Sequence, residues 1–280
     1  MRLLFCNRND PAYEDKLNAL LKKVFFNFRF WYDLGLWDER YESHALESEG
    51  KIVSNVCVFK SRLFIHGKEH PALSFGAVAT HPEYRGRGLS RMLMERVIGR
   101  YGEMPMYLSA NEEVLDFYPR FGFRQAQEKV PAISCRIDND VAPRRMAYDA
   151  PEVFGFFKNR RGCSRIFDCR GMETVNMFHV HSGSLKDCIY TLPELGAMVI
   201  ARQNGETLRL LDVVSDKSLK FEDVKPYLPF KGIRRVEFAF MPDWLEVPYT
   251  MEPCGEKIFF FGRGFPCEFY DFKFPELALT

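Results

Sequence analysis

The most constraining stretch of the chain runs from Leu73 to Arg91, LSFGAVATHPEYRGRGLSR. An apolar strand-like run ends at Pro82. Glycines follow at 86 and 88, and a helix-period pattern starts at once with Leu89, Met92, Leu93, Val97 and Ile98. The first turn of a helix carries N–H groups without intrahelical acceptors, and the helix dipole is positive there. The two glycines clear side chains from the approach to that turn, and Arg85, Arg87 and Arg91 add positive charge. Strand, glycine turn and helix start in this order make a site for a phosphate or pyrophosphate. It is not a P-loop, because no Gly-Lys-Ser/Thr is present. It is not a dinucleotide fingerprint, because the third glycine and the downstream acidic residue are missing.

Around this element the first half reads as a short strand at 2–6 and a helix from Pro11 to about Phe26, capped by Asp10. A second helix falls within the aromatic segment 25–37. Strands at 45–49 and 52–65 form a hairpin, a strand at 72–80 follows, and the helix from Gly88 reaches Tyr101. A strand at 106–109, a helix from about Glu112 to Phe121 stopped by Gly122, and a strand Phe123–Ile137 complete this half. The polar, Pro-containing stretch 138–145 marks a boundary. Beyond it come a helix at 151–158 and strands at 187–191, 197–202 and 207–214, the last two joined by Asn204-Gly205. A short helix near 221–227 and strands at 234–241 and 257–262 end the chain, with Phe259, Phe260 and Phe261 read as buried. The order of elements in the second half is a blurred echo of the first.

Composition narrows the function. Hydrophobic residues make up 46 % of 280, including 27 Phe, which is ample for a large core. The formal net charge is only +1, so no general attraction to nucleic acid or anionic membrane is implied. No apolar run approaches a membrane span, the N-terminal run is too short for a signal peptide, and a cytoplasmic location is expected. The eight cysteines form no Cys-x-x-Cys pair, and Cys57 reads as a small core residue.

The stretch Arg85-Gly86-Arg87-Gly88-Leu89-Ser90 resembles the Arg/Gln-x-x-Gly-x-Gly/Ala signature of the GNAT (Gcn5-related) acetyltransferase superfamily, with Ser90 at a position usually small. A second element, Asn111 to Phe123, looks like that family's Asn…Phe-Tyr-x-x-x-Gly-Phe segment. The run Gly76 to Leu89 is similar to the Eis-like subgroup, in which a second GNAT-like region follows the first. The resemblance implies an α/β fold: a mixed, mostly antiparallel sheet flanked by helices in residues 1–140, then a second, degenerate GNAT-like domain in 141–280 shaping the acceptor site. It implies an acetyl-CoA-dependent N-acetyltransferase, with Gly86, Arg87, Gly88, Leu89, Ser90 and Arg91 holding the CoA pyrophosphate beside Arg85. Val78, Ala79 and Thr80 would pair with the pantetheine arm and Asn111 would hydrogen-bond it. Tyr118 would be the general acid, since a phenol near the sulfur can protonate the departing thiolate. The acceptor would be a small-molecule or peptide primary amine.

The general base is left open. Glu47, Glu49, His81 and Glu83 lie near candidate strands, and in the subgroup a chain-terminal carboxylate can take the role. His179 and His181 would face one way on a strand, but no third ligand is evident and no metal is expected. The basic cluster Lys158, Arg160, Arg161, Arg165 and Arg170 reads as a solvated helix end rather than a nucleic-acid site. An acyl-CoA-binding regulator without catalysis is the alternative reading.

Overall fold

The computed structural model describes residues 1–8, 10–255, 258–265 and 271–280. Two sheets face each other. Strands β1 (Arg2–Cys6), β2 (Tyr41–Ser48), β3 (Lys51–Ile65), β4 (Lys68–Thr80), β5 (Met106–Asn111), β6 (Arg124–Ala126) and β7 (Lys129–Ile137) come from the first half, with helices α1 (Pro11–Val24), α2 (Arg29–Asp33) and α3 (Leu89–Tyr101). The second half supplies α4 (Pro151–Asn159), β8 (Phe167–Arg170), α5 (Glu173–His181), β9 (Ile189–Leu192), β10 (Ala197–Asn204), β11 (Thr207–Ser215), α6 (Phe221–Val224), β12 (Ile233–Phe238), β13 (Thr250–Pro253) and β14 (Ile258–Arg263).

Local signals account for most of these. Asp10 caps α1 by accepting from the Tyr13 N–H at 3.2 Å, with Pro11 in the first turn. Leu17, Leu20 and Leu21 are the buried stripe of that helix. Asn204 and Thr207 close the β10–β11 hairpin, as Asn204-Gly205 predicts. Phe260 and Phe261 are buried on opposite faces of β14, so the aromatic run is a two-sided interior strand. Lys257, expected as its first residue, lies outside the described residues.

The expected strand 123–137 is corrected by the structure. It divides into β6 and β7, and the two lie in different sheets. The first sheet runs β1-β2-β3-β4-β5-β14-β6, with β8 added against the far end of β3. The second runs β13-β7-β12-β11-β10-β9. The halves therefore exchange one interior strand each, besides the edge strand β8: β14 pairs with both β5 and β6, and β7 pairs with both β12 and β13. Each sheet has one parallel pair, β4 with β5 and β11 with β12, and antiparallel neighbours elsewhere. In each sheet the borrowed strand sits next to the second member of the parallel pair, so the echo of element order seen in the sequence is an echo of topology.

Other expectations fail for local reasons. Residues 112–121 are two 3-10 turns, Glu112–Val114 and Tyr118–Phe121, not one helix. Pro119 has no N–H to continue a helix that had begun at 112. His179 and His181 lie on helix α5 rather than a strand, so two residues of separation turns them about 200° apart. Arg160 is not a solvated member of a basic cluster. It is half-buried, in a two-pronged ion pair with the buried Asp212 at 2.9 and 3.0 Å.

Each sheet lacks an interior strand without the other half. Residues 1–140 expressed alone are expected to show no cooperative thermal transition by circular dichroism, because β5 and β6 lose the strand between them. Co-expression with residues 141–280 should restore it. A cooperative melt of the isolated first half would show that the strand exchange is dispensable.

Candidate active site

The site is built where β4 and β5 part. Their parallel pairing covers only Leu73, Ser74 and Phe75 against Met106, Tyr107 and Leu108. Beyond Phe75, β4 continues to Thr80 with β3 on one edge and no strand on the other. A wedge opens there, along Gly76 to Thr80.

A bulge fixes the opening. Asn55 opposes Ala79 and Cys57 opposes Gly76, so Ala77 and Val78 stand against Val56 alone. Ala77 is left-handed, with φ of 47°, unusual for a residue with a Cβ. A buried polar chain holds it: the Asn55 amide donates to the Ala77 carbonyl at 2.9 Å, and its oxygen accepts from the Ser43 hydroxyl at 2.6 Å. With Ser43's one proton committed, the Tyr13 hydroxyl at 2.7 Å must donate to Ser43. Burial raises the Tyr13 pKa far above its ordinary value, so that phenol stays a donor. Asn55 was missed in the sequence. Its signal was a lone amide inside the apolar run 52–59.

The end of β4 is tied to the start of α3 by hydroxyls. Ser54 donates to the Ala79 carbonyl at 3.1 Å, Ser54 and Thr80 are 2.8 Å apart, and Thr80 and Ser90 are 2.6 Å apart. Between them the glycine turn is left-handed at both glycines, with φ of 76° at Gly86 and 72° at Gly88, the residue before α3. A side chain at either glycine would meet nothing within 4 Å, so the space over the turn is open. The Gly88–Leu89–Ser90 backbone thus presents the free end of α3 to that space. The arginines stand around it. Arg87 lies over the Tyr84 ring at 4.8 Å and donates to the Glu83 carbonyl, Arg85 reaches the Thr80 carbonyl at 3.4 Å, and Arg91 pairs with Glu95 at 2.8 Å.

Tyr118 sits on the α3 face of the sheet. Its ring packs against Phe117 and Phe261, with centroids 5.2 and 5.8 Å away. Burial alone pushes its pKa up to about 12. The hydroxyl has no hydrogen-bond partner among the described residues and is not among the sealed, unpaired polar atoms, so it meets solvent. Asn111 ends β5 and spends its side-chain oxygen on the Glu113 N–H at 3.2 Å, leaving only its amide N–H groups for another partner.

The opposite face of the wedge carries a pocket of about 60 Å³ at Gly76 and Ala77, walled by α2, α5 and Thr280. The C-terminal segment 271–280 runs between the sheets to reach it. Its Leu277 carbonyl accepts from Asn176 at 2.7 Å, its Leu279 carbonyl lies 2.7 Å from His179, and the Thr280 hydroxyl contacts Ser74 and the Phe75 carbonyl. Gly76 is required by this approach, since a Cβ there would lie 3.2 Å from the Thr280 side chain. The four acid–base candidates named from the sequence do not enter the wedge. Glu47 is held by Arg2 and Lys16, each at 2.7 Å. His81 contacts Lys23 at 2.8 Å, Glu83 is exposed, and Glu49 lies in the β2–β3 turn.

The second sheet has a matching bulge at Leu211, between Leu210 and Asp212. There the chain fills its own gap: Arg160 grips Asp212, and residues 275–278 cover Leu211, with the Glu276 N–H bonded to the Ala239 carbonyl. No glycine turn follows β11, where Ser215-Asp216-Lys217-Ser218 stands.

Residues 11–126 match the family model described as an acetyltransferase (GNAT) domain. That segment is therefore similar to GNAT acetyltransferase domains. Its fold extends over most of the molecule. Eis1 from Mycobacterium abscessus superposes with a TM-score of 0.58 at 16 % identity, over 91 % of this chain and 67 % of Eis1. A probable N-acyltransferase from Enterococcus faecalis gives 0.57 at 14 %, over 93 % and 72 %. A GCN5-related N-acetyltransferase from Kribbella flavida gives 0.55 at 15 %, over 93 % and 70 %. At these identities the likeness is one of fold. No curated protein matches the sequence. No helix among the described residues is long and apolar enough to cross a membrane.

The bulge is the part of the site most exposed to mutation. Asn55→Leu should leave the Ala77 carbonyl without its donor and the Ser43 proton without its acceptor in the core, lowering stability by about 2–3 kcal/mol. Urea unfolding of the variant measures this, and a loss under 0.5 kcal/mol would mean the bulge holds without the amide.

Proposed function

We propose that the protein transfers an acetyl group from acetyl-CoA to a primary amine by direct attack. The observation that supports this best is that one stretch of β4, from Gly76 to Thr80, has the pocket at its start and the glycine turn just beyond its end. The left-handed turn before α3 offers free N–H groups for a pyrophosphate. The side of β4 away from β3, along Val78, Ala79 and Thr80, meets no strand among the described residues and offers an extended amide-bearing arm an edge to pair with. A donor held this way directs its reactive end toward Ala77 and Gly76. The acceptor pocket lies on the α1 and α5 face, and Tyr118 stands on the α3 face, so nucleophile and acid approach from opposite sides of the sheet.

Rate enhancement in this arrangement comes mainly from holding two substrates in line. Tyr118 keeps its proton through neutral pH and well above it, and supplies it to the leaving thiolate. The second half contributes walls of the acceptor pocket and no donor site of its own. An acyl-CoA-binding regulator remains the competing reading, and turnover separates the two.

Calorimetry should show acetyl-CoA binding to the wild-type protein. Ser90→Glu puts a carboxylate in the first turn of α3, which repels a pyrophosphate, and should weaken binding at least tenfold in protein that circular dichroism shows to be folded. Tyr118→Phe should keep binding and lower kcat by about 10²–10³. The wild-type rate should show no alkaline fall below about pH 11 from this phenol, since ionisation is delayed by its burial. Absence of acyl-CoA binding by the wild type would sink the proposal, and binding with no turnover of any amine would favour the regulator.

A further inference from the structure

From the pocket at Gly76 and Ala77 we infer the class of the acceptor: a primary amine on a compact apolar group, alkyl or aryl-alkyl, rather than an amino sugar or a polyamine. This rests on the acetyltransferase reading above. Six of the pocket's walls are aromatic rings, those of Phe28, Trp31, Tyr32, Tyr41, Phe59 and Phe178. Val175, Ala77, Gly76 and Thr280 supply the rest. No Asp or Glu side chain lines it. Glu42, next to Tyr41 in the chain, is turned to the other face, where it accepts from Tyr101 and pairs with Lys60 at 2.7 Å.

The physical consequence is selective. A second or third ammonium on the acceptor would leave water with no Asp or Glu side chain of the pocket wall to meet it, at a cost of several kcal/mol per charge. A single amine in apolar surroundings is instead biased toward its neutral form, which is the nucleophile. The enclosed volume of about 60 Å³ takes a short branched alkyl group. A larger aryl group has an apolar path outward, since Phe26 stacks on Phe28 with centroids 4.5 Å apart, and Phe25 and Phe26 are exposed. One polar feature awaits a partner: the buried indole N–H of Trp31 has no acceptor among the described residues.

The test is steady-state CoA release at saturating acetyl-CoA, comparing isopentylamine and phenethylamine with spermidine and a triamino sugar. The apolar amines should exceed the polycations at least tenfold in kcat/KM. Phe178→Asp places a carboxylate in the wall and should reverse that ratio while acetyl-CoA affinity, read by calorimetry, is unchanged. Should this variant not fold, Phe178→Leu, which keeps the wall apolar, should keep the wild-type order. If acetyl-CoA binds and the polycations are preferred, or no amine is acetylated, the inference is overturned, while the donor site stands. If acetyl-CoA does not bind at all, both readings fall together.

Discussion

The structure depends on the exchange of one strand between its halves. A sheet whose interior strand is missing leaves two rows of backbone groups unpaired, and in this chain each half supplies the strand the other lacks. The exchange also settles where the wedge ends. β14 fastens β5 on the side away from β4, so β5 is held by β14 along its whole length while it meets β4 over only three residues. The gap beyond Phe75 is therefore built into the sheet rather than opened by a ligand.

The exchange carries a second consequence. Residues 271–280, near the end of the chain after β14, run back between the sheets. Phe272 and Phe274 bury themselves against Phe167 and Phe260, and Thr280 arrives at Gly76. The aromatic pocket at Gly76 thus draws on segments far apart in the sequence, from Phe28 to Thr280. In the second sheet the same segment covers the matching bulge, so one stretch of chain shapes one cleft and closes the other.

The polar groups that hold the bulge and the start of α3 are few and linked to one another. Asn55 ties the bulge, Ser43 and Tyr13 tie Asn55, and the Ser54–Thr80–Ser90 hydroxyls tie strand to helix. Such networks are stabilising only when every member is paired. This explains why a left-handed alanine is tolerated at position 77: its geometry is imposed from β2, β3 and α1 together.

The donor side of the site was legible from residues 73–91 alone, because a glycine turn between a strand and a helix is a local device whose chemistry follows from backbone conformation. Tyr118 and Asn111 were legible as family-like residues, but the 3-10 turns around Pro119 were not, since the helical spacing of Leu115, Tyr118 and Phe121 outweighed one proline in the reading. Asn55, the aromatic pocket and the closing role of residues 271–280 were hidden. Their meaning comes from contacts between segments up to two hundred residues apart, such as Thr280 with Ser74. Strand identity was in the sequence and strand partnership was not: β7 and β14 read as strands from their own apolar patterns, but nothing local distinguishes a strand that pairs within its half from one that crosses over. The sequence by itself determined the anion-binding turn and most of the elements, because these depend on neighbours along the chain. Only the tertiary structure decided which sheet each strand joins and what lines the acceptor pocket, because pairing and burial are settled by competition among distant segments for the same edges and the same core.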